Sequence, residues 1–121
     1  MNLFSNYQKR FLHYLKSLEK KNIIDLPNNL KSLTVELPPK RHEADMSCNV
    51  AMILAKFNQK TPLDLANILK KNFLQNFKEF EKIDVAKPGF LNINFKIDFW
   101  KNYLFKIIES NVNYGSNKNL Q

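Results

Sequence analysis

Hydrophobic side chains recur every three or four positions over residues 2–21, with most of the basic residues between them. This spacing places the apolar side chains on one face of an amphipathic helix. The same spacing returns in residues 46–57, in the segment that begins at Thr61, and in the segment that follows Asp98. The pattern therefore predicts four helices, and the last of them is expected to end near Ser110.

Local signals mark where three of these helices begin. Thr61 is predicted to cap its helix, because a proline follows at the first helical position and an acidic residue at the third. Asp45 and Asp98 are predicted to cap the second and fourth helices. The second helix should carry Cys48 in its first turn, where a small buried side chain is expected. The inward face of that helix is predicted to consist of Val50, Ile53, Leu54 and Phe57.

Three segments alternate hydrophobic and polar residues with the period of two that is typical of a half-buried strand. They are residues 33–37, 80–87 and 89–97, and Pro88 with Gly89 predicts a hairpin turn between the last two. These elements predict an α+β domain, with a small, mainly antiparallel sheet of about three to four strands and amphipathic helices packed on one face. The other face of the sheet is expected to stay open to water or to a partner.

The strand after the turn places an aromatic residue in a polar row. If the apolar residues of this strand face the core, Phe90 stands on the outer face with Asn92, Asn94 and Lys96. An exposed ring stacks on an unpaired base, and the amide of Asn92 offers both a donor and an acceptor to a base edge. Lys87 and Lys96 are placed to neutralise phosphates. The alternative is that Phe90, directly after the turn, tucks under a neighbouring loop as part of the core.

The net charge of the chain is +8, from 19 basic and 11 acidic residues, and its pI is about 9.6. Such an excess favours a polyanionic partner, either nucleic acid or an anionic membrane surface. Lysine and asparagine are abundant together, and this combination also arises from codon bias. The charge alone therefore leaves the partner open.

Composition also limits the possible functions. At 121 residues the chain is predicted to be one domain, and no apolar run is long enough to cross a bilayer. A single cysteine rules out an intramolecular disulfide and a zinc site built on several thiolates. Two glycines cannot form a phosphate-binding loop, and His13 and His42 belong to no catalytic pattern. We expect a reduced, cytoplasmic, metal-free and monomeric domain without a catalytic centre.

Four segments resemble the N-terminal end of arginyl-tRNA synthetases. VELPPKRHEADMSCNVAMILAK, residues 35–56, is similar to the family's strand end, its His-Gly-Asp loop and the helix that follows. TPLDLANIL, IDVAKPGFLNINF and NVNYGSN match later family segments, and the order and spacing are kept over about residues 33–117. The most specific match is the Pro-Gly-Phe-x-Asn pattern of the hairpin. The chain thus resembles the additional N-terminal domain of these enzymes.

The resemblance implies a non-catalytic domain that binds tRNA. In the family this domain contacts the outer corner of the L-shaped tRNA, at the D-loop and at a base near position twenty. The family's contacting aromatic and amide fall on Phe90 and Asn92, and a third contact of variable type falls on Lys87. The family's signatures for ATP binding and catalysis are absent, so no cofactor and no activity are expected of this chain alone. ATP, with magnesium, would serve the parent class I arginine–tRNA ligase in its catalytic domain.

The resemblance also sets expectations for how the chain is organised. Residues 1–112 are expected to form the N-terminal-like domain, and residues 113–121 a linker or tail toward the catalytic domain. Ala44 stands where the family's loop has glycine, so this loop, which includes His42, is expected to differ in shape. Three other roles remain open: a structural docking domain for the catalytic body, a free-standing RNA-binding paralogue without base specificity, and a membrane-surface domain.

Overall fold

The computed structural model describes residues 2–38 and 43–115, with side chains through Ser110. This part of the chain contains four helices and one sheet of four strands, so the predicted α+β class is confirmed. In chain order the elements are α1 (Leu3–Lys20), β1 (Val35–Glu36), β2 (Met46–Cys48), α2 (Val50–Leu54), α3 (Pro62–Asn76), β3 (Phe80–Ala86), β4 (Phe90–Phe95) and α4 (Ile97–Gly115).

Neighbouring strands of the sheet are antiparallel and lie in the order β1-β2-β4-β3. β3 and β4 form the predicted hairpin, in which Ala86 pairs with Phe90 across the turn of residues 87–89. β4 is therefore a central strand, bonded to β2 on one side and to β3 on the other. This order places Asn92 of β4 directly between Ser47 of β2 and Asp84 of β3.

The core of the domain is strongly aromatic. Tyr7 and Phe11 of α1 are buried, as the apolar stripe of that helix predicted, and the ring centroids of Phe11 and Phe73 lie 4.7 Å apart. α4 joins this cluster through Phe99, whose ring stacks on that of Phe95 with 4.2 Å between centroids. Aromatic pairs at such distances add to the free energy gained by burying their area. The cluster holds helices α1, α3 and α4 to the same sheet.

Of the predicted helix caps, the one at Thr61 is confirmed. Its hydroxyl accepts a hydrogen bond from the backbone N–H of Asp64 at 3.1 Å, and Pro62 is the first residue of α3. The cap predicted at Asp98 is wrong, because α4 begins at Ile97 and Asp98 is already the second residue of the helix. An acidic residue there still complements the positive end of the helix dipole.

The helix cap predicted at Asp45 is also wrong. The element that follows it is the strand β2, and the Asp45 carboxylate bonds to more distant parts of the fold. Its Oδ2 accepts hydrogen bonds from the backbone N–H of Phe95 at 2.8 Å and from the indole N–H of Trp100 at 3.2 Å. Asp45 therefore ties the end of β4 to the start of α4.

The helix predicted over residues 46–57 is shorter than expected at both ends. Residues 46–48 form β2, and α2 spans only Val50–Leu54. Cys48 is buried as expected, but in a strand, where burial raises the pKa of its thiol to about 12. Phe57 does not face the core and is 50% exposed, because the helix that would have turned it inward ends at Leu54.

At the other end of the described chain, α4 continues past Ser110 to Gly115. It crosses the predicted boundary between residues 1–112 and 113–121, so residues 113–115 continue a helix. The division into domain and tail stays a prediction. His42 and residues 116–121 lie outside the described residues.

Candidate nucleic-acid interface

The tip of the β3–β4 hairpin is packed against the start of α3 at Gly89. A Cβ atom at this position would lie 2.7 Å from the Cβ of Pro62 and 3.2 Å from the Cγ of Met52. The first distance is too short for two carbon atoms, so only glycine allows this approach. The tip is therefore fixed relative to α3, and Phe90, the next residue, begins β4 from a fixed position.

Phe90 lies on the outer face of the sheet, as the alternation predicted. It is 37% exposed, whereas its neighbour Leu91 is fully buried on the core side. Phe90 does not belong to the hydrophobic core cluster, so the alternative that it tucks under a loop is wrong. Lys87, three residues earlier in the turn, is exposed as well. The hairpin tip thus exposes both an aromatic ring and a lysine.

A groove of about 290 Å³ lies beside the ring of Phe90. One wall is fixed by Asn49, whose side chain accepts a hydrogen bond from the Thr34 N–H at 2.8 Å and donates one to the Ser32 carbonyl at 3.0 Å. Its lining combines apolar side chains with one carboxylate, one amide and the hydroxyl groups of a serine and a threonine. The lining residues are Thr34, Glu36, Leu37, Pro38, Ser47, Asn49 and Phe90.

Asn92 lies on the outer face as predicted, but the expectation that it is exposed to solvent is wrong, because only 3% of its surface is exposed. Its central position between two other strands encloses it. Ser47, its partner on β2, is 7% exposed. Neither the Oδ1 of Asn92 nor the Oγ of Ser47 has a hydrogen-bond partner within the part of the chain described. An unpaired buried polar group costs about 1–3 kcal/mol, so two of them side by side need an explanation.

Sequence reasoning did not place Ser47 beside Asn92 on the sheet, because its segment was expected to be helical. The signal that could have revealed it is the short alternation of Met46, Ser47 and Cys48, in which the two flanking residues face the core. A three-residue strand is too short for such alternation to outweigh the helical spacing of the apolar residues that follow.

The far end of β4 differs from the tip. The side-chain amide of Asn94 donates a hydrogen bond to the backbone carbonyl of Glu43 at 3.0 Å, so the connection between β1 and β2 meets the outer face there. Lys96 follows β4 and is exposed, but six residues separate it from Phe90, or about 20 Å along a strand. The structure thus groups Phe90 and Lys87 at one end and leaves Lys96 at the other, with Asn92 between them.

The clearest perturbation of ionisable groups lies away from this face, where α1 meets the start of β3. The hydroxyl of Tyr7 donates a hydrogen bond to Glu79 at 2.5 Å, and Arg10 pairs with the same carboxylate oxygen at 2.9 Å. Burial, with the bond to Glu79, raises the pKa of Tyr7 above its usual range. Burial alone would raise the pKa of Glu79, but the hydrogen bond from Tyr7 and the charge of Arg10 outweigh it and lower that pKa. This network joins α1 to the sheet.

Other kinds of site find little support in the described residues. Among them, no group of three or more histidine, cysteine, aspartate and glutamate side chains is arranged to bind a metal ion. Within residues 2–38 and 43–115, no helix has the length and apolar character needed to cross a membrane.

Comparison with known proteins identifies the family. A family model described as "Arginyl tRNA synthetase N terminal domain" matches residues 5–95. The arginine–tRNA ligase of Pelagibacter ubique (strain HTCC1062) is 39% identical over 117 residues, which cover 97% of this chain and 20% of that protein. The arginine–tRNA ligase of Bartonella henselae is 35% identical over 117 residues, which cover 95% of this chain and 20% of that protein. That of Wolbachia pipientis wMel is 32% identical over 116 residues, which cover 96% of this chain and 20% of that protein. The chain spans about a fifth of the length of these relatives. It belongs to the family of arginyl-tRNA synthetase N-terminal domains.

Proposed function

We propose that this chain is the tRNA-binding domain of an arginyl-tRNA synthetase and that it recognises the D-loop of arginine tRNA through the β3–β4 hairpin. The observation that supports this proposal is the accessible ring of Phe90 on the outer face of the sheet, with Lys87 exposed in the adjoining turn. Stacking of a base on an aromatic ring contributes roughly 1–3 kcal/mol. A nearby lysine adds phosphate attraction that does not depend on sequence.

In the proposed complex, Asn92 contacts the edge of the stacked base. Its Oδ1 is buried and has no hydrogen-bond partner among residues 2–38 and 43–115, so a donor supplied by the base would offset the cost of its burial. Lys96 would meet a different part of the RNA from Lys87, because the two lysines flank opposite ends of β4. The contact at the outer corner would then help the parent enzyme to position the distant acceptor end of the tRNA.

The reaction itself is assigned to the rest of the parent enzyme. We place the ATP-dependent attachment of arginine in the catalytic domain, which would bind ATP and magnesium, and we assign no cofactor to this chain. The domain is proposed to act in the cytoplasm and to be monomeric. Its partners are then the tRNA and the catalytic domain of its own enzyme.

Replacement of the ring tests the proposal. Phe90→Leu keeps an apolar side chain but removes the stacking surface, so the Kd for an arginine tRNA transcript should rise about fivefold or more. Because Phe90 lies outside the core cluster, the melting temperature should hardly change. Phe57→Leu is the matched control, since Phe57 is also exposed but does not line the groove beside Phe90. Equal losses for the two variants, or unfolding of Phe90→Leu, would contradict the proposed stacking.

The lysine contact is tested by salt dependence. Lys87→Ala should weaken binding and reduce the slope of log K against log salt by about one, with little change in base preference. A tRNA altered only in its D-loop should bind the unmodified chain more weakly than the intact transcript. Equal affinity for both transcripts would point to non-specific electrostatic binding.

A second candidate function, docking onto the catalytic body, is favoured by one face of α4. Ile97, Leu104, Phe105 and Ile108 are all exposed, and their spacing places them on the same side of the helix. Such an apolar stripe usually marks an interaction surface. We assign it to the remainder of the arginyl-tRNA synthetase, because relatives of this chain are about five times as long.

This second function is tested in a complete synthetase that carries the domain. Leu104→Lys should make α4 more sensitive to proteolysis there, while leaving the melting temperature of the 121-residue chain unchanged, since Leu104 is exposed. Lys106→Ala, at an exposed position on the opposite side of α4, is the control. Unchanged proteolysis of the Leu104 variant would remove this face from the interface.

A further inference from the structure

We propose that Ser47 and Asn92 together form the floor of the base-binding subsite, and that this subsite selects an unpaired base that presents N–H donors. The inference rests on the proposed function and adds to it a residue on β2 and a chemical preference. Neither the resemblance to the family nor the alternation of the hairpin points to Ser47.

The first argument is position. Ser47 and Asn92 are directly opposed across β2 and β4, so their side chains share the outer face, with Cβ atoms roughly 5 Å apart. Phe90 lies on the same face two residues before Asn92, or roughly 7 Å along the strand. Ser47 and Phe90 also line the same groove. A base stacked on the ring would therefore have its edge above the Ser47–Asn92 pair.

The second argument concerns the pairing of two side-chain oxygen atoms. The Oγ of Ser47 and the Oδ1 of Asn92 are buried without a hydrogen-bond partner among the described residues. Most buried polar atoms in folded proteins are paired, so a ligand is the natural partner for these two. Because an amide oxygen only accepts, the ligand must bring a donor to Asn92, whereas the hydroxyl of Ser47 serves either role.

The third argument is charge. Glu36 pairs with Ser47 from β1, and Asp84 pairs with Asn92 from β3, so the row across the sheet has a carboxylate at each end. Both are exposed. These carboxylates repel a phosphate but attract N–H groups. The base, rather than the phosphate backbone of the RNA, should therefore contact Ser47 and Asn92. The phosphate of the same nucleotide would then lie near Lys87.

Ser47→Ala tests the inference in the 121-residue chain with an arginine tRNA transcript as the probe. Loss of one neutral hydrogen bond should raise the Kd about three- to tenfold. The melting temperature should not fall, because the Oγ has no partner within the described part of the protein. Ser110→Ala, at an exposed position on α4, is the matched control and should leave the Kd unchanged.

A set of transcripts, each with one D-loop base removed, separates recognition from a structural effect. On the transcript that lacks the bound base, Ser47→Ala and the unmodified chain should bind equally. A penalty of the same size on every abasic transcript would overturn the inference, since the hydroxyl would then act through the fold.

The two proposals also fail in different ways. If Phe90→Leu weakens binding and Ser47→Ala does not, the proposed role of Ser47 is wrong, while the proposed contact between the hairpin and the tRNA is retained. If neither variant weakens binding, or the chain does not bind the transcript, both proposals are wrong.

Discussion

The contact between Asp45 and two elements of the fold leads to a sharp prediction about stability. Asp45→Ala removes the acceptor for the Phe95 N–H, at 2.8 Å, and for the Trp100 indole N–H, at 3.2 Å. The backbone N–H of Asp45, which donates to the Ile93 carbonyl at 2.8 Å, is retained in the variant. The substitution therefore tests the carboxylate alone.

The expected loss of stability follows from the two hydrogen bonds that the Phe95 and Trp100 N–H groups lose. Hydrogen bonds to a charged group contribute about 1.5–3 kcal/mol each, and a donor left buried without a partner costs a similar amount. Asp45 is only partly buried and its bond to Trp100 is the longer of the two, so both contributions belong at the low end. We expect the free energy of unfolding to fall by roughly 2–4 kcal/mol, a large share of the 5–15 kcal/mol typical of a domain.

Urea unfolding followed by tryptophan fluorescence measures this loss. Trp100 is the chain's only tryptophan, and it is itself a partner of Asp45, so the signal reports on this contact. Asp45→Asn retains an oxygen acceptor and should lose only about 1 kcal/mol. Asp25→Ala removes an exposed carboxylate elsewhere and should be almost neutral. A loss below roughly 0.5 kcal/mol for Asp45→Ala would refute the assigned role of the carboxylate.

Two further predictions concern the hairpin tip and the partly buried carboxylate of Glu79. Gly89→Ala should cost about 1–3 kcal/mol of unfolding free energy, because its Cβ would lie 2.7 Å from that of Pro62; an unchanged urea midpoint would contradict this packing. Tyr7 and Arg10 lower the pKa of Glu79 in the folded protein. The ionised carboxylate should therefore stabilise the fold fully above the pKa of Glu79 in the unfolded chain, which is about 4.3. This stabilisation should be lost as the pH falls through the lower pKa of Glu79 in the folded protein. Glu79→Gln should therefore be less stable than the unmodified chain at pH 7 and nearly equal to it at pH 2, as urea midpoints at the two pH values would show; an equal difference at both would contradict the linkage.

Elements with strong local signals were predictable from the sequence. The apolar stripe of α1 and the threonine–proline start of α3 depend on residues a few positions apart, and both are found as predicted. The hairpin follows from alternation on both sides of Pro88 and Gly89, and the exposure of Phe90 follows from its parity in β4. In each case the decisive interaction is local, so a short stretch of sequence contains the information.

Features that depend on distant strands were not predictable in this way. β2 has only three residues, and it forms because β1 and β4 lie on either side of it. The same strand order buries Asn92, which the alternation had correctly placed on the outer face but had wrongly left in water. Asp45 looked like a helix cap, yet its partners Phe95 and Trp100 are 50 and 55 positions away. Residue pairs so far apart carry no signal in a single sequence.

The two packing contacts of β4 have a common consequence for the proposed interface. One end of the strand is held to α3 by Gly89, and the other end is held to α4 through Asp45. Phe90 and Asn92 lie between these two fixed points, so the spacing of the ring and the amide is set before RNA arrives. A preorganised surface avoids part of the entropy cost of binding. Gly89→Ala should therefore weaken tRNA binding even under conditions where the variant is fully folded, because a shift of the tip moves the adjacent Phe90. If the folded variant bound as tightly as the unmodified chain, the position of the ring would not depend on the tip, and preorganisation could not explain the affinity.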